Sequence, residues 1–199
     1  LHSLDEHEHE VWSVAFSPDG EILATGCDDN KARLWDVNTE ECIKVFESHT
    51  DYVLSVAFSL DGKTLFSGSH DNTIKQWHIE TGECLVVFQG HNDGVRSVDV
   101  SADGKMLASS SNDQTIRLWD IETGECLKIL EGHSNGVWSI AFTLQSNLLV
   151  SSSVDQTVRL WDIETEECIK VFQGHSNMIN SVDVSSQGNI IASGSYDQS

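Results

Sequence analysis

The chain has 199 residues, 39% of them hydrophobic, which is enough apolar material to bury the core of one domain. Eleven Lys and Arg stand against 32 Asp and Glu, giving a formal charge of -21, and such a field repels phosphate backbones and anionic lipid headgroups. Nucleic acid and membrane surfaces are therefore not expected as partners; a protein surface or a basic peptide suits the field, and the same acidity also serves solubility.

The first residues, Leu1-His2-Ser3-Leu4-Asp5, lack the basic-then-apolar order of a signal peptide, and no run approaches the roughly 18 apolar residues of a transmembrane helix. A soluble, cytoplasmic protein is expected. With Met106 and Met178 as its only methionines, the chain reads as part of a longer one. The run His7-Glu8-His9-Glu10, with His2 nearby, contains metal-ligating types but no further ligand spacing, so a solvated acidic edge is expected and no metal or cofactor. No Walker-type phosphate loop occurs.

In chain order, Val11 to Phe16 is short, β-branched and aromatic and runs into Ser17-Pro18-Asp19-Gly20, a strong turn signal. Ile22 to Thr25 reads as a second strand, Asp28-Asp29-Asn30 as a polar break, Ala32 to Trp35 as a third strand, and Cys42 to Phe46 as a fourth after the turn at Asn38 to Glu41. Helix-period apolar stripes are absent. The unit then recurs without a slip: Trp35, Trp77, Trp119 and Trp161 stand forty-two residues apart, as do Ser13, Ser55, Ser97, Ser139 and Ser181. Repeats are expected at 5–46, 47–88, 89–130 and 131–172, with 173–199 an incomplete fifth and 1–4 the outer strand of a preceding unit. Cys42, Cys84, Cys126 and Cys168 share the interval; they and Cys27 are expected to be buried small hydrophobes in a reducing compartment rather than disulfide partners.

A single sheet of about forty residues cannot cover both its faces, so successive sheets must stack, which in a radial arrangement makes the blades of a propeller. Gly90-His91 to Trp119-Asp120, and Gly132-His133 to Trp161-Asp162, resemble the GH and WD ends of WD40 repeats, and the likeness runs over essentially the whole chain. Local departures are Glu6 and Ser48 in place of the Gly before His7 and His49, and His78 in place of Asp after Trp77. The resemblance implies an all-β WD40 β-propeller with four complete four-stranded antiparallel blades and partial blades at both ends, truncated or part of a larger, seven-bladed propeller. Exposed blade edges would then favour self-association with another copy. The uniform run Leu118 to Cys126 resembles bacterial WD40 arrays, which suggests the sensing arm of a larger signalling polypeptide.

Each repeat also carries a His, a Ser or Thr, an Asp and a Trp: His7, Thr25, Asp29 and Trp35; His49, Ser67, Asp71 and Trp77; His91, Ser109, Asp113 and Trp119; His133, Ser151, Asp155 and Trp161. His175, Ser193 and Asp197 begin a fifth set. A hydrolase triad uses three of these residue types, but a catalytic site is built once, and repetition marks a requirement of the fold; no enzyme is expected. The WD40 resemblance implies that Asp accepts from His, His contacts Ser or Thr, and the hydroxyl reaches the indole.

Positions that vary inside this constant frame are free to recognise something. One, just before the periodic Asp, reads Asp28, His70, Asn112, Val154 and Tyr196; a second reads Trp12, Leu54, Arg96, Trp138 and Asn180; a third reads Glu10, Tyr52, Gly94, Gly136 and Met178. The resemblance places the first on the top face of the propeller. Trp12 and Trp138 are the tryptophans outside the structural period, and with Arg96 and Tyr196 they are residue types that dominate interface energetics. The expected function is a non-catalytic protein-protein interaction scaffold, with a purely structural, self-assembling repeat fragment as the alternative.

Overall fold

The computed structural model describes residues 9–144, 147–185 and 187–199, and the expected strand at 1–4 lies outside them. The first sheet is β1 (Val11–Phe16), β2 (Ile22–Cys27), β3 (Lys31–Asp36) and β4 (Cys42–Glu47). The second is β5 (Val53–Phe58), β6 (Thr64–Ser69), β7 (Ile74–His78) and β8 (Cys84–Phe88); the third is β9 (Val95–Val100), β10 (Met106–Ser111), β11 (Ile116–Asp120) and β12 (Cys126–Leu130). The fourth comprises β13 (Val137–Phe142), β14 (Leu148–Ser153), β15 (Val158–Asp162) and β16 (Cys168–Phe172), and a two-stranded fifth comprises β17 (Ile179–Val184) and β18 (Ile191–Ser195). Each is an antiparallel meander in sequence order, as repeating blades of an all-β propeller require.

The turns explain why each strand ends where it does. After β1, β5 and β9, a Ser hydroxyl donates to the Asp two residues on, as in Ser59 to Asp61 at 2.7 Å, and Gly62 at φ +67° closes the turn. Before β12 and β16, Asp120 and Asp162 accept the backbone N–H of Thr123 and Thr165. His78 performs the same task in the second sheet, its Nδ1 accepting the Thr81 N–H at 3.2 Å, so the missing Asp leaves the turn intact. Of the other two departures, Glu6 lies outside the described residues and Ser48 is compensated. A Cβ on Gly90 or Gly132 would lie 2.9 or 2.8 Å from Nη1 of Arg117 or Arg159, which stack over Trp119 and Trp161. Where Ser48 replaces Gly, Lys75 replaces Arg and its Nζ donates to the Ser48 hydroxyl and carbonyl.

The core sits between sheets rather than within one. Ala24, Leu34 and Phe46 of the first sheet pack against Val53, Val56, Leu65 and Trp77 of the second, and the Phe46 and Trp77 rings are 5.1 Å apart. Phe66, Ile74 and Phe88 meet Val95, Val98, Leu107 and Trp119 in the same way at the next junction. Each buried Trp removes about 200 Å² from water, roughly 5 kcal/mol at 25 cal/mol per Å² as an upper bound. On β1, by contrast, Val14 is 62% and Phe16 63% exposed, whereas the equivalent Val56 and Phe58 are covered by the preceding sheet.

The periodic Ser has a role that composition does not reveal. Ser13, Ser55 and Ser139 each accept the backbone N–H of a residue in the first strand of the next sheet, namely Val56, Val98 and Val182, at 3.0 to 3.2 Å. Between the third and fourth sheets Asp99 bridges instead, its carboxylate accepting the Phe142 N–H at 2.7 Å. Burial raises the Asp99 pKa to about 6, opposed by bonds from the Phe142 and Val100 N–H groups and reinforced by Asp183. The raised value means that charged Asp99 costs stability at neutral pH, a cost relieved as pH falls through 6.

The cysteines depart from expectation. Only Cys27 is buried; Cys84 and Cys126 are exposed and Cys42 and Cys168 half-buried, and none of the five is in a disulfide. Their interval places them at the start of the outermost strand of each sheet, where no further strand covers them.

If Ser55 latches two blades, replacing it by Ala strands the buried Val98 N–H and should cost about 1 to 2 kcal/mol. Urea denaturation of S55A showing an unchanged midpoint would remove that role.

Candidate functional site

The repeated polar sets are continuous hydrogen-bond chains. In the third sheet the Trp119 indole donates to Ser109 Oγ at 2.8 Å, Ser109 Oγ lies 2.7 Å from His91 Nε2, and His91 Nδ1 lies 2.8 Å from Asp113 Oδ2. The second and fourth sheets repeat this at His49, Ser67, Asp71 and Trp77 and at His133, Ser151, Asp155 and Trp161. A neutral imidazole protonated on Nδ1 satisfies the whole chain: indole N–H to Ser, Ser O–H to Nε2, Nδ1–H to carboxylate. Ser67, Ser109 and Ser151 are 0% exposed, and each oxygen already receives an indole N–H, so no substrate can reach it. This geometry joins loop to sheet and does not perform nucleophilic attack.

The carboxylate end holds more than a histidine. Asp113 also accepts from the Asn92 and Thr115 backbone N–H groups and from the Thr115 hydroxyl at 2.7 Å. Thr73 and Thr157 do the same for Asp71 and Asp155. Sequence reasoning missed these threonines, although their place two residues after the periodic Asp was visible. Burial works against the charged forms of Asp71, Asp113 and Asp155, but the His and Thr hydrogen bonds outweigh it and hold all three well below the usual carboxylate range.

The outer sets differ. His7 lies outside the described residues; Trp35 still donates to Thr25 at 3.0 Å, and Asp29 is paired with Arg33. In the fifth sheet His175 bridges Asp197 and Ser193 at 2.9 Å each, with Ser199 where the second, third and fourth repeats have Thr. Of the run at residues 7 to 10, only His9 and Glu10 are described, and His9 pairs with Asp28 at 3.5 Å.

The three variable positions come together in every blade. The pairing of first and second strands slips at one residue, between Val11 and Ser13, Val53 and Ser55, Val95 and Ser97, Val137 and Ser139, and Ile179 and Ser181. The residue left out is Trp12, Leu54, Arg96, Trp138 or Asn180. A β-bulge of this kind frees its residue from the ladder and re-aims its side chain. The other two positions are joined by backbone: the N–H of Asp28, His70, Asn112, Val154 and Tyr196 donates to the carbonyl of Glu10, Tyr52, Gly94, Gly136 and Met178 respectively.

Across blades these groups overlap. His70 lies over Gly94, where a Cβ would meet its ring at 3.0 Å, and its own ring is 6.3 Å from that of Tyr52. Asn112 lies over Gly136 and accepts the Arg96 Nε–H at 2.8 Å. The Arg96 guanidinium sits 4.9 Å above the Trp138 ring, which meets Tyr196 edge-on at 6.4 Å. Tyr196 and Asn180 are exposed, Met178 and Trp138 half-buried, and Trp12, also exposed, stands apart from the cluster on the first blade. Leu54 is buried and offers almost no contact surface.

Stacked antiparallel blades that repeat a hydrogen-bonded quartet, complete in the second, third and fourth, and a bulge at a variable residue define a repeat protein. The model for the WD domain, G-beta repeat, matches residues 1–36, 40–78, 82–120, 124–162 and 166–199, so the chain belongs to the WD40 repeat family. Curated relatives include eukaryotic translation initiation factor 3 subunit I of Aspergillus niger, 48% identical over 50 residues, or 25% of this chain and 15% of that protein. The same subunit of Aspergillus oryzae is 46% identical over 50 residues, again 25% and 15%. WD repeat-containing protein pop1 of Schizosaccharomyces pombe is 44% identical over 50 residues, 25% of this chain and 6% of that protein. The aligned segment thus spans a small fraction of each relative. These relatives are fungal and lend nothing to the likeness with bacterial arrays or to a signalling role.

Replacing Asp113 by Ala strands the His91, Thr115 and Asn92 donors and should destabilise the chain by about 3 kcal/mol. Because the folded pKa of Asp113 is depressed, its contribution is complete above the ordinary carboxylate range and is lost as pH falls below about 4. The midpoint difference between parent and D113A in urea should therefore shrink between pH 5 and pH 2; a difference independent of pH would show that the charge on Asp113 is irrelevant.

Proposed function

We propose that this chain is a non-catalytic, cytoplasmic protein-interaction scaffold whose partner, a protein or basic peptide, docks on the bulge-bearing end of the blades. The observation that carries the reading is the gathering of Arg96, Asn112, Trp138 and Tyr196 from three blades into one cluster at positions the fold leaves free to vary. Aromatic and Arg side chains supply most of the energy in protein interfaces. Tyr52, His70, Met178, Asn180 and Trp12 would extend the contact, and the net charge of -21 favours basic groups around it. Two kinds of relative support a scaffold: one is by name a subunit of an initiation factor, the other a WD repeat-containing protein. A recruitment arm of a larger signalling polypeptide is the finer form of the same reading. Five cysteines outside any disulfide fit a reducing compartment.

The apolar flank of β1, with Val14 and Phe16 exposed, favours a second reading in which copies assemble through blade faces without a dedicated ligand.

Affinity for a captured partner should fall at least about thirtyfold in W138A/Y196A with the melting temperature preserved. Capture that survives this double variant, together with a concentration-dependent mass in light scattering, would replace the first reading by the second.

A further inference from the structure

Arg96 is the one Lys or Arg among the variable positions; its counterparts are Trp12, Leu54, Trp138 and Asn180. It is also held in an unusual way. The Trp138 ring supports one face of the guanidinium and Asn112 Oδ1 takes the Nε–H, which leaves the N–H groups on the two Nη atoms as a fixed fork. Gly136 belongs to this mount. Its backbone is not left-handed, so the glycine is not demanded by conformation; a Cβ there would lie 3.3 Å from both Cα and Oδ1 of Asn112 and displace the residue that aims Arg96.

In a chain with 32 carboxylates, none forms an ion pair with Arg96 among the described residues. Burial draws the Arg96 pKa down, and Asp93 opposes this from beyond ion-pair distance. A partly desolvated cation without an anion has lost hydration and gained no counter-charge, so an arriving carboxylate meets a site whose desolvation is already in part in place. Beside it, Tyr196 is 59% exposed and its ring extends the Trp138 surface.

We propose that Arg96, mounted on Trp138 and Asn112, binds the side-chain carboxylate of an Asp or Glu in the partner, with an aromatic or apolar neighbour of that residue lying on Trp138 and Tyr196. The proposal rests on the interaction reading above and names its chemistry. A carboxylate is favoured over a phosphate because the summed field of the chain penalises each additional negative charge. The partner segment therefore carries one isolated acidic residue in neutral or basic surroundings.

The test uses the ¹⁵N-labelled full chain, following the Arg96 Nε–H and Trp138 indole N–H signals. The probes are acetyl-Glu-Phe-amide, acetyl-Gln-Phe-amide and acetyl-phosphoserine-Phe-amide. The Glu probe should shift both signals saturably and bind about tenfold more tightly than the Gln probe. R96Q should erase that preference and R96K should retain part of it, with the indole signals of Trp35, Trp119 and Trp161 unmoved as a check on folding. Equal binding of the Glu and Gln probes, tightest binding of the phosphoserine probe, or a preference that survives R96Q would each overturn the carboxylate assignment. If W138A/Y196A abolishes partner capture while R96Q affects neither capture nor probe preference, the interaction reading stands and this one falls.

Discussion

A blade that is apolar on both faces can cover them only by packing against its neighbours. The contact between Phe46 and Trp77, repeated between Phe88 and Trp119, is where that requirement is met. It fixes the spacing of the repeat, since each Trp must reach both a neighbour across the junction and a hydroxyl in its own sheet. Stability is then nearest-neighbour in character, and a defect at one junction is felt by two blades rather than by the whole chain.

Polar side chains finish what the apolar junctions begin. In the second, third and fourth blades the Asp, Thr, His, Ser and Trp chain ties the preceding loop to the middle strands, and a first-strand Ser, or Asp99 in the third blade, ties one blade to the next through a backbone N–H. These are buried groups, so each is valuable chiefly because leaving it unpaired is costly. The same economy explains the paired exchange of Gly and Arg for Ser and Lys between repeats: the space a Cβ fills at Ser48 is the space a guanidinium fills above Gly90.

The period, the strands and the all-β class were legible in the sequence because every loop kept its length. Strand boundaries shifted by at most two residues, as at β2, which runs on to Cys27 because its pairing with β1 and β3 continues past Thr25. Burial of the cysteines was not legible: a Cys at constant spacing looks like core, and only the strand order reveals that it begins the outer edge. The variable positions could be found by comparing repeats, but not the reason they vary. That reason is the slipped pairing at Trp12, Leu54, Arg96, Trp138 and Asn180, a geometric property with no compositional signature. Nor could sequence alone separate Leu54, which is covered, from Trp138, which meets Arg96 and Tyr196.

The slip itself has a consequence for how such a chain diversifies. A residue that takes no part in the ladder exerts no pull on register, so an indole, an aliphatic chain, a guanidinium and an amide can be exchanged there while the neighbouring hydrogen bonds stay in place. Each copy of the unit thus brings one interchangeable letter to a shared surface. Duplication lengthens the word, point mutation respells it, and neither has to renegotiate how the polypeptide collapses.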